Sequence, residues 1–388
     1  MALGLGGVAA ALAAGVGMAF QIVPDRVARA KNPVLRRPPY PASDDAQALH
    51  GRLTVVDLHA DSLLWGRDLL RRASHSHVDV PRLIEGGIAV QGLAVCTQVP
   101  RRVNLERNDD RTDDVTLLAL AQRWPRATWR SRLARASYQA DRAHAMATRS
   151  GGRLAILTSV NALDGYLARR VRDHAIAAGF LAIEGAHALD GDPANVEVLA
   201  EAGYRMMSPT HFFDNAFGGS AHGIEQGGLT ARGREMVARM QARGMIVDVA
   251  HASVRTIDDV LDAATRPVIA SHTGVRGVAD NVRNLSDTHL RAIAGTGGLI
   301  GIGFWPTASG GEDARAIARS IRYAVAIAGI DHVGLGSDFD GAVPVPFDAT
   351  GIVQVTEALL AEGFDEPAIA AVMGGNAVRL LRTVLPAG

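Results

Sequence analysis

The feature that most constrains the fold is a regular alternation of short apolar segments with longer helical ones, from about residue 50 to the C-terminal region. Strands separated by helices are typical of a parallel α/β domain. Nine segments read as strands: Leu53–His59, Ala89–Val99, Leu154–Val160, Phe180–Glu184, Arg205–Thr210, Met245–His251, Pro267–His272, Leu299–Phe304 and His332–Asp338. A (β/α)8 TIM barrel needs eight. We therefore predict this α/β fold with Leu154–Val160 as a peripheral strand, because no polar residue suited to chemistry follows that segment.

Composition removes several classes of function. The 388 residues are 48% hydrophobic and 21% charged, and their formal net charge of zero provides no basic footprint for nucleic acid. Cys96 is the only cysteine, which excludes an intrachain disulfide and any site built from several cysteines. Lys31 is the only lysine and precedes the predicted barrel, so the barrel has no lysine for catalysis or for bridging metals.

The N-terminal region predicts attachment to a membrane. Residues 2–23 are uncharged and almost wholly apolar, although rich in Gly and Ala, and they reach the length of about 20 residues that a membrane span needs. We predict residues 1–24 as a membrane anchor with a single pass, residues 25–45 as a linker, and residues 46–388 as the barrel. Basic residues after the apolar stretch favour a cytoplasmic position for the downstream end. They are Arg26, Arg29, Lys31, Arg36 and Arg37. The side of the membrane and cleavage of the segment stay open.

An Arg-rich insertion follows the second predicted strand, at residues 101–150. The stretch 116–129, "TLLALAQRWPRATW", has its clearest amphipathic pattern. We therefore expect helices that bury one face.

Polar side chains occur at the carboxyl ends of the predicted strands. The first strand ends in His59 and Asp61, which point in one direction because a strand alternates faces with a period of two. Later strand ends carry Glu184, His211, His251, His272 and Asp338. In a βα barrel these ends converge on one rim, where active sites lie. Imidazole and carboxylate groups together are a ligand set suited to zinc and similar divalent ions.

This ligand set favours two metal ions over one. Glu184 can bridge an ion held by His59 and Asp61 and a second ion held by His251 and His272. In many related barrels a carboxylated lysine forms the bridge, but this barrel has no lysine, so a glutamate must serve. A hydroxide shared by two ions is nucleophilic at neutral pH, because metal coordination lowers the pKa of water.

The chain resembles the renal or membrane dipeptidases, zinc metallopeptidases of family M19 with a (β/α)8 barrel of the metal-dependent hydrolase type. The resemblance runs from about residue 50 to "MGGNAVRLL". It rests on the His-x-Asp after the first strand and, in the family's order, on "IEGAHAL", "THFFDN", "DVAHAS", "ASHTGVR", "NVRNLSD" and "GSDFDG". It implies a metallodipeptidase that hydrolyses the peptide bond of dipeptides with two zinc ions per chain. The implied metal ligands are His59, Asp61, Glu184, His251 and His272.

The resemblance also implies catalytic and substrate-binding residues. His211 would contact the substrate carbonyl and stabilise the tetrahedral intermediate. Asp338 would handle the proton between the bridging hydroxide and the leaving amine. Arg283 falls where the family keeps its substrate-binding arginine, and a guanidinium there can pair with the free carboxylate that ends a dipeptide.

The first strand departs from the family pattern. The family commonly reads Asp-Gly-His-Asn-Asp, whereas this chain reads "DLHAD" at residues 57–61. Ala60 points away from the metals by strand alternation, so ligation survives, but a contact behind the ligands is put in doubt. The disulfides and lipid-anchor signal of the animal members have no counterpart here, since the chain has one cysteine and ends in "LPAG".

Two other functions stay open. One is another amide or lactone hydrolase on the same dinuclear site, and the other is a membrane-tethered binding protein that keeps the metals without turnover. Retention of His211, Asp338 and Arg283 argues against the second, because structural metal alone would not require them. The sequence does not determine side-chain preference, tolerance of D-residues, physiological role or oligomeric state, for which a homodimer is one arrangement.

Overall fold

The computed structural model describes residues 24–388, in which eight parallel strands close into a barrel. Nine strands occur along the chain: β1 Val55–Ala60, β2 Ile88–Cys96, β3 Leu154–Ile156, β4 Ala177–Glu184, β5 Tyr204–Met207, β6 Ile246–Asp248, β7 Val268–Thr273, β8 Leu299–Ile302 and β9 Val333–Leu335. The barrel order is β1-β2-β4-β5-β6-β7-β8-β9, and β9 pairs with β1. The predicted (β/α)8 barrel is confirmed.

Strand β3 lies outside the ring, as predicted. It pairs only with the first residues of β4, Ala177 to Gly179, while β2 pairs along β4 from Ala178 to Glu184. It is also shorter than predicted, because a helix begins at Val160.

Helices surround the barrel and most begin at a Ser, Thr or Asp whose side chain accepts a backbone N–H, as helix N-caps do. The α-helices are α1 Asp44–His50, α2 Val80–Glu85, α3 Asp114–Ala121, α4 Arg132–Arg149, α5 Val160–Arg170, α6 Asn195–Glu201, α7 Ala231–Ala242, α8 Val254–Ala263, α9 Asp287–Gly295, α10 Pro306–Ser309, α11 Ala314–Ala328, α12 Val353–Ala361, α13 Glu366–Ala370 and α14 Asn376–Val384. Short 3-10 segments occupy Arg126–Trp129, Ala186–Leu189, Ile330–His332 and Ala349–Gly351, and Ala371–Gly375 is a π-helical turn.

Several strands end earlier than the apolar pattern indicated. The strand predicted through His251 ends at Asp248, and the strand predicted through Asp338 ends at Leu335. His251 and Asp338 have φ angles of 62° and 60°, which place them in the left-handed region. A residue in that region cannot continue a strand, so the predicted ends were wrong where the backbone turns a side chain into the site.

The insertion at residues 101–150 is helical, but its predicted amphipathic stretch is wrong. Leu117 and Leu120 of α3 are 49% and 37% exposed, so apolar side chains lie on both faces of this helix. The one-sided helix is α4, whose buried side chains recur every three or four residues. They are Arg135, Ala136, Gln139, Ala140, Ala143 and Met146. The insertion is therefore attached to the barrel through α4.

The region predicted as a linker, residues 25–45, contacts the barrel in its first part. Residues 24–31 are helical, and the next residue, Asn32, is 3% exposed. The Asn32 side chain accepts a hydrogen bond from Ala342 N at 2.9 Å, and Leu35 N donates to Val345 O at 2.9 Å. The predicted anchor, residues 1–24, lies outside the described residues except for Pro24. Within residues 24–388 no helix is long and apolar enough to cross a membrane.

Arg135 fixes the insertion to the end of β2. Its guanidinium is 2% exposed and donates to Thr97 O, Thr128 O and Asp113 Oδ2 at 2.6, 2.6 and 2.5 Å. Replacing Arg135 with Ala removes the donor to two buried backbone carbonyls and breaks the ion pair with Asp113. We expect Arg135→Ala to lower the free energy of unfolding by about 3–5 kcal/mol.

The matched control is Arg149→Ala on the same helix, since Arg149 and its partner Asp68 have side chains that are 58% and 32% exposed. An exposed pair of this kind contributes about 1 kcal/mol or less. Urea denaturation followed by circular dichroism measures both variants, and equal effects of the two changes would contradict the role of Arg135.

Candidate metal centre

The Glu184 carboxylate, at the end of β4, is the meeting point of four imidazoles. Its Oε1 atom lies 3.0 Å from His251 Nε2, 3.3 Å from His272 Nε2 and 3.7 Å from His59 Nε2. Its Oε2 atom lies 3.2 Å from His211 Nε2. These side chains follow or end four other strands of the barrel, and all are at most 7% exposed. The barrel thus brings together the side chains that the sequence placed at separate strand ends.

Three groups of potential metal ligands share Glu184: one includes Cys96 and His211, and the other two consist of predicted ligands. In one group His59, Asp61 and Glu184 have ligand atoms within 4.8 Å of one another, and in the other Glu184, His251 and His272 do. His59 Nε2 and Asp61 Oδ1 are buried without a hydrogen-bond partner among the described residues. Burying unpaired polar atoms is costly, and a divalent cation would satisfy them. The donor set therefore fits metal ions, with Glu184 common to both groups.

The pKa shifts in this centre show that added positive charge would stabilise it. Burial raises the pKa of Glu184 well above its usual range, and the neighbouring Asp61 carboxylate raises it further. Burial lowers the pKa of the His59 imidazole, but Glu184 and Asp61 outweigh that effect and bring it to about 10. In the protein alone, protons supply the charge that metal ions supply when they bind to deprotonated ligands.

Ser271, next to His272 on β7, holds ligands from both groups. Its hydroxyl donates to Asp248 Oδ2 at 2.5 Å and lies 2.9 Å from His272 Nδ1 and 3.3 Å from His59 Nδ1. An imidazole that offers Nε2 to a metal carries its proton on Nδ1, and a hydroxyl oxygen can accept two such donors. Ser271 therefore orients one histidine of each group, and Asp248 fixes the direction of the Ser271 hydroxyl hydrogen. The sequence analysis missed both residues, although each lies within three positions of a predicted ligand.

Asp57 supports the opposite side of the centre. Its carboxylate accepts from Ser337 N and Ser337 Oγ at 2.7 and 2.6 Å and from Gln91 Nε2 at 2.7 Å. These bonds tie the interior of β1 to the residue that precedes Asp338. Directly after the same strand, Asp61 N donates to Phe339 O at 2.9 Å. Asp338 is thereby kept beside the His59–Asp61 ligand group.

Asp338 and Arg283, predicted to act on the substrate, both belong to the centre. Arg283 is 6% exposed, donates to His272 O at 2.6 Å and stacks over the Trp305 ring at 5.7 Å. Burial raises the pKa of Asp338 to about 8, and Asp61 contributes to the rise, while His59 and Arg283 oppose it. The guanidinium makes no ion pair with any residue of the described chain, although Asp338 and Glu184 act on its pKa. Trp305 had no signal in the sequence analysis beyond its position shortly after β8.

Cys96 is a further residue of the centre that the sequence analysis used only to exclude disulfides. The β2–β4 register places it opposite Glu184, and its Sγ atom lies 3.3 Å from His211 Nδ1. Burial raises the thiol pKa well above its usual range, so the sulfur keeps its proton. The thiol donates to Gln98 O at 3.5 Å and its sulfur contacts Nδ1 of the His211 ring, whose Nε2 atom lies 3.2 Å from Glu184 Oε2. The predicted strand ran to Val99, so the sequence placed Cys96 inside the strand, whereas in the structure it is the last strand residue.

We expect Ser271→Ala to weaken metal binding by about tenfold to a hundredfold, the usual effect of removing a residue that orients ligands. Because Ser271 contacts one histidine of each ligand group, metal bound at either group should become easier to remove. Competition with a chelator, read by elemental analysis of the protein, measures the effect without using activity.

Ser309→Ala is the control, since Ser309 is equally buried but bonds only to the backbone of residues around α10. Unchanged metal retention in Ser271→Ala would contradict the positioning role.

Known dipeptidases and metallopeptidases are similar to this chain in sequence and fold. A dipeptidase of Aspergillus oryzae, aclJ, is 33% identical over 214 residues, which is 53% of this chain and 51% of that protein. The crystal structure of the M19 metallopeptidase dipeptidase AC superposes with a TM-score of 0.71 at 26% identity, covering 86% of this chain and 99% of the other. A Rhodobacter sphaeroides metallopeptidase, solved with a phosphinate mimic of the dipeptide L-Ala-D-Ala, gives a TM-score of 0.69 at 25% identity, with coverage of 86% and 99%.

The match to the family is broader than the match to any one of these relatives. The membrane dipeptidase (peptidase family M19) model aligns with residues 43–387, a range that contains every strand of the barrel and every ligand described above. This range and the structural neighbours lead to one conclusion: the chain belongs to the membrane dipeptidase family, peptidase family M19.

Proposed function

We propose that this chain hydrolyses the peptide bond of dipeptides at a dinuclear zinc centre. The observation that carries the proposal is the Glu184 carboxylate, which two groups of zinc-type ligands share within hydrogen-bond distance of His211. In this proposal His59 and Asp61 hold one zinc ion and His251 and His272 hold the other, with Glu184 bridging. Bound zinc would supply a hydroxide nucleophile at neutral pH and polarise the substrate carbonyl.

His211 has the geometry of a donor to the substrate carbonyl. Burial lowers its pKa well below the usual range, so the imidazole is neutral, and in this proposal its proton is on Nε2, the nitrogen that faces Glu184, while Nδ1 contacts the Cys96 sulfur. A neutral donor held in place can stabilise the negative charge that develops on the carbonyl oxygen. Loss of one such donor typically reduces kcat by about 10²–10³-fold.

Asp338 is suited to carry a proton to the leaving amine. Burial raises its pKa to about 8. A group whose pKa lies near the working pH can both accept and release a proton. Its carboxylate is 8% exposed and interacts electrostatically with His59 and Asp61, the ligands of one proposed ion. The side chain therefore lies where a proton would leave the nucleophile.

Arg283 is suited to bind the carboxylate that ends a dipeptide. It is a buried guanidinium beside the ligand His272, and no carboxylate of the described chain forms an ion pair with it. An unpaired buried charge is costly, so a substrate carboxylate would restore the balance and place the peptide bond next to Glu184.

The test compares a dipeptide with its C-terminal amide in wild type and in Arg283→Ala. Wild type should prefer the free acid, and the variant should lose most of that preference, with a cost of roughly 2–5 kcal/mol in kcat/KM. Chelation of the metal should abolish hydrolysis by wild type. Arg291→Ala serves as the control, because the Arg291 side chain on α9 is 61% exposed and lies outside the centre.

Equal discrimination by Arg283→Ala and wild type would remove Arg283 as the carboxylate-binding residue. Hydrolysis that survives complete removal of metal would overturn the metal-dependent proposal. A protein that binds zinc and dipeptides but turns neither acid nor amide over would fit the binding-protein alternative.

We propose further that residues 1–24 tether the enzyme to a membrane. Support comes from the adjacent surface, where the helix at residues 24–31 and α3 share one apolar cluster containing Ala28 and Ala119. Both helices also expose apolar side chains on the surface: Val27 is 41% exposed and Leu117 is 49% exposed. Apolar side chains grouped beside an apolar terminus fit contact with a lipid surface.

Fractionation of cells that make the full chain or a form beginning at Pro24 tests the tether. The truncation keeps the docked helix, so the barrel should fold in both. We expect the full chain in the membrane fraction and the truncated form in the soluble fraction. The tether is wrong if both forms are soluble while the full chain keeps its N-terminus.

A further inference from the structure

A cavity of about 300 Å³ adjoins the metal centre between the loops that follow β5, β6 and β7. The ligand His251 and the buried Arg283 both line it, so the cavity begins at the proposed catalytic residues. Two more arginines, Arg255 at the start of α8 and Arg276 after β7, contribute to its wall. We call this space the arginine cavity. Its lining holds three guanidinium groups and one carboxylate, that of Glu225.

The positive charge of the arginine cavity is not balanced by ion pairs. Arg276 donates its Nε–H to Asn284 O at 3.0 Å, and neither it nor Arg255 forms an ion pair with a residue in the range 24–388. The two carboxylates of α8 nearest to Arg255 in the chain are engaged elsewhere. Asp258 lies 3.1 Å from His289 Nε2, and Asp259 lies 2.6 Å from Arg234. The guanidinium groups are therefore available to an anionic ligand.

The lining of the cavity fits a ligand side chain that has methylene groups and a charged end. Apolar residues line its deeper part, among them Val249, Ile257 and Leu285, each at most 5% exposed, while Arg255 and Glu225 are exposed at the surface. Methylene groups of a ligand could pack on the apolar wall while its charged end reaches Arg276 and Arg255.

We infer that the arginine cavity receives the side chain of the C-terminal residue of the dipeptide and selects an acidic one, aspartate or glutamate. The inference rests on the proposed function, because Arg283 would hold the C-terminal carboxylate at the start of the cavity. The side chain on the same carbon then lies next to the cavity. A second carboxylate balances the excess of guanidinium groups, whereas the isosteric amide does not.

The experiment uses the zinc-loaded full chain and pairs of dipeptides that differ by one charge. Ala-Asp is compared with Ala-Asn, and Ala-Glu with Ala-Gln, each with the second residue in the L and in the D configuration, and Ala-Ala serves as the neutral reference. We expect kcat/KM for the acid to exceed that for the amide by roughly tenfold, since two partly exposed charges contribute to the difference.

Arg255→Gln and Arg276→Gln should each reduce the acid-to-amide ratio by roughly threefold to fivefold. Both variants should leave kcat/KM for Ala-Ala near the wild-type value, because neither residue touches the peptide bond. Arg291→Gln is the matched control: its side chain is 61% exposed, 4.0 Å from Asp287 on α9, and outside the cavity lining.

The outcomes separate the two proposals. Absence of hydrolysis for all the dipeptides overturns the proposed function and this inference with it. Hydrolysis of Ala-Ala together with equal rates for acids and amides overturns the inference and leaves the proposed function standing. A preference for acids that persists in the Arg255→Gln/Arg276→Gln double variant also overturns it, because the selectivity would then arise elsewhere.

Discussion

The arrangement of the whole centre depends on one buried carboxylate, that of Glu184. Four imidazoles from four other strands lie within 3.7 Å of its two oxygens, and burial alone would keep it protonated. Such a cluster is unfavourable as a set of isolated side chains in a low-dielectric interior. It becomes favourable when cations occupy it, so the barrel has to hold the ligands in place before any metal binds. The stability of the barrel offsets the free-energy cost of holding the ligands in this arrangement.

Two kinds of support hold the ligands. Behind the centre, Ser271 and Asp248 orient histidines of both ligand groups, while Asp57 joins β1 to the segment that carries Asp338. In front, His251 and Asp338 adopt left-handed backbone conformations, each of which costs about 1–3 kcal/mol. These costs are tolerated because the surrounding strands fix the course of the backbone at both residues. The hydrogen bonds behind the ligands and the strained backbone conformations together determine where the functional atoms lie.

The surface around the centre contributes in a different way. Helix α4 attaches the insertion to the barrel through buried Arg135, while α3 exposes apolar side chains next to the docked helix at residues 24–31. On another side of the rim, the loops after β5, β6 and β7 line the arginine cavity beside His251 and Arg283. The proposed catalytic residues lie at the barrel ends, whereas the proposed membrane attachment and substrate selection depend on these loops and helices. Differences among members of the family are expected to concentrate there.

The sequence by itself determined the barrel and most of the centre, because strand period and strand ends are local properties of the chain. Buried parallel strands read as apolar runs, and the polar residue that follows each run lies on one rim once the barrel closes. His59, Asp61, Glu184, His211, His251 and His272 could be predicted in this way, and their distances in the structure agree. Only the tertiary structure decided the contacts of Cys96 with His211, of Ser271 with two ligand histidines, and of Arg276 with the wall of a cavity. The contacts of Cys96 with His211 and of Ser271 with His59 join residues far apart in the chain, and their partners depend on strand register and loop path. Neither quantity leaves a periodic signal in a single sequence, because each is set by packing between elements and not within them.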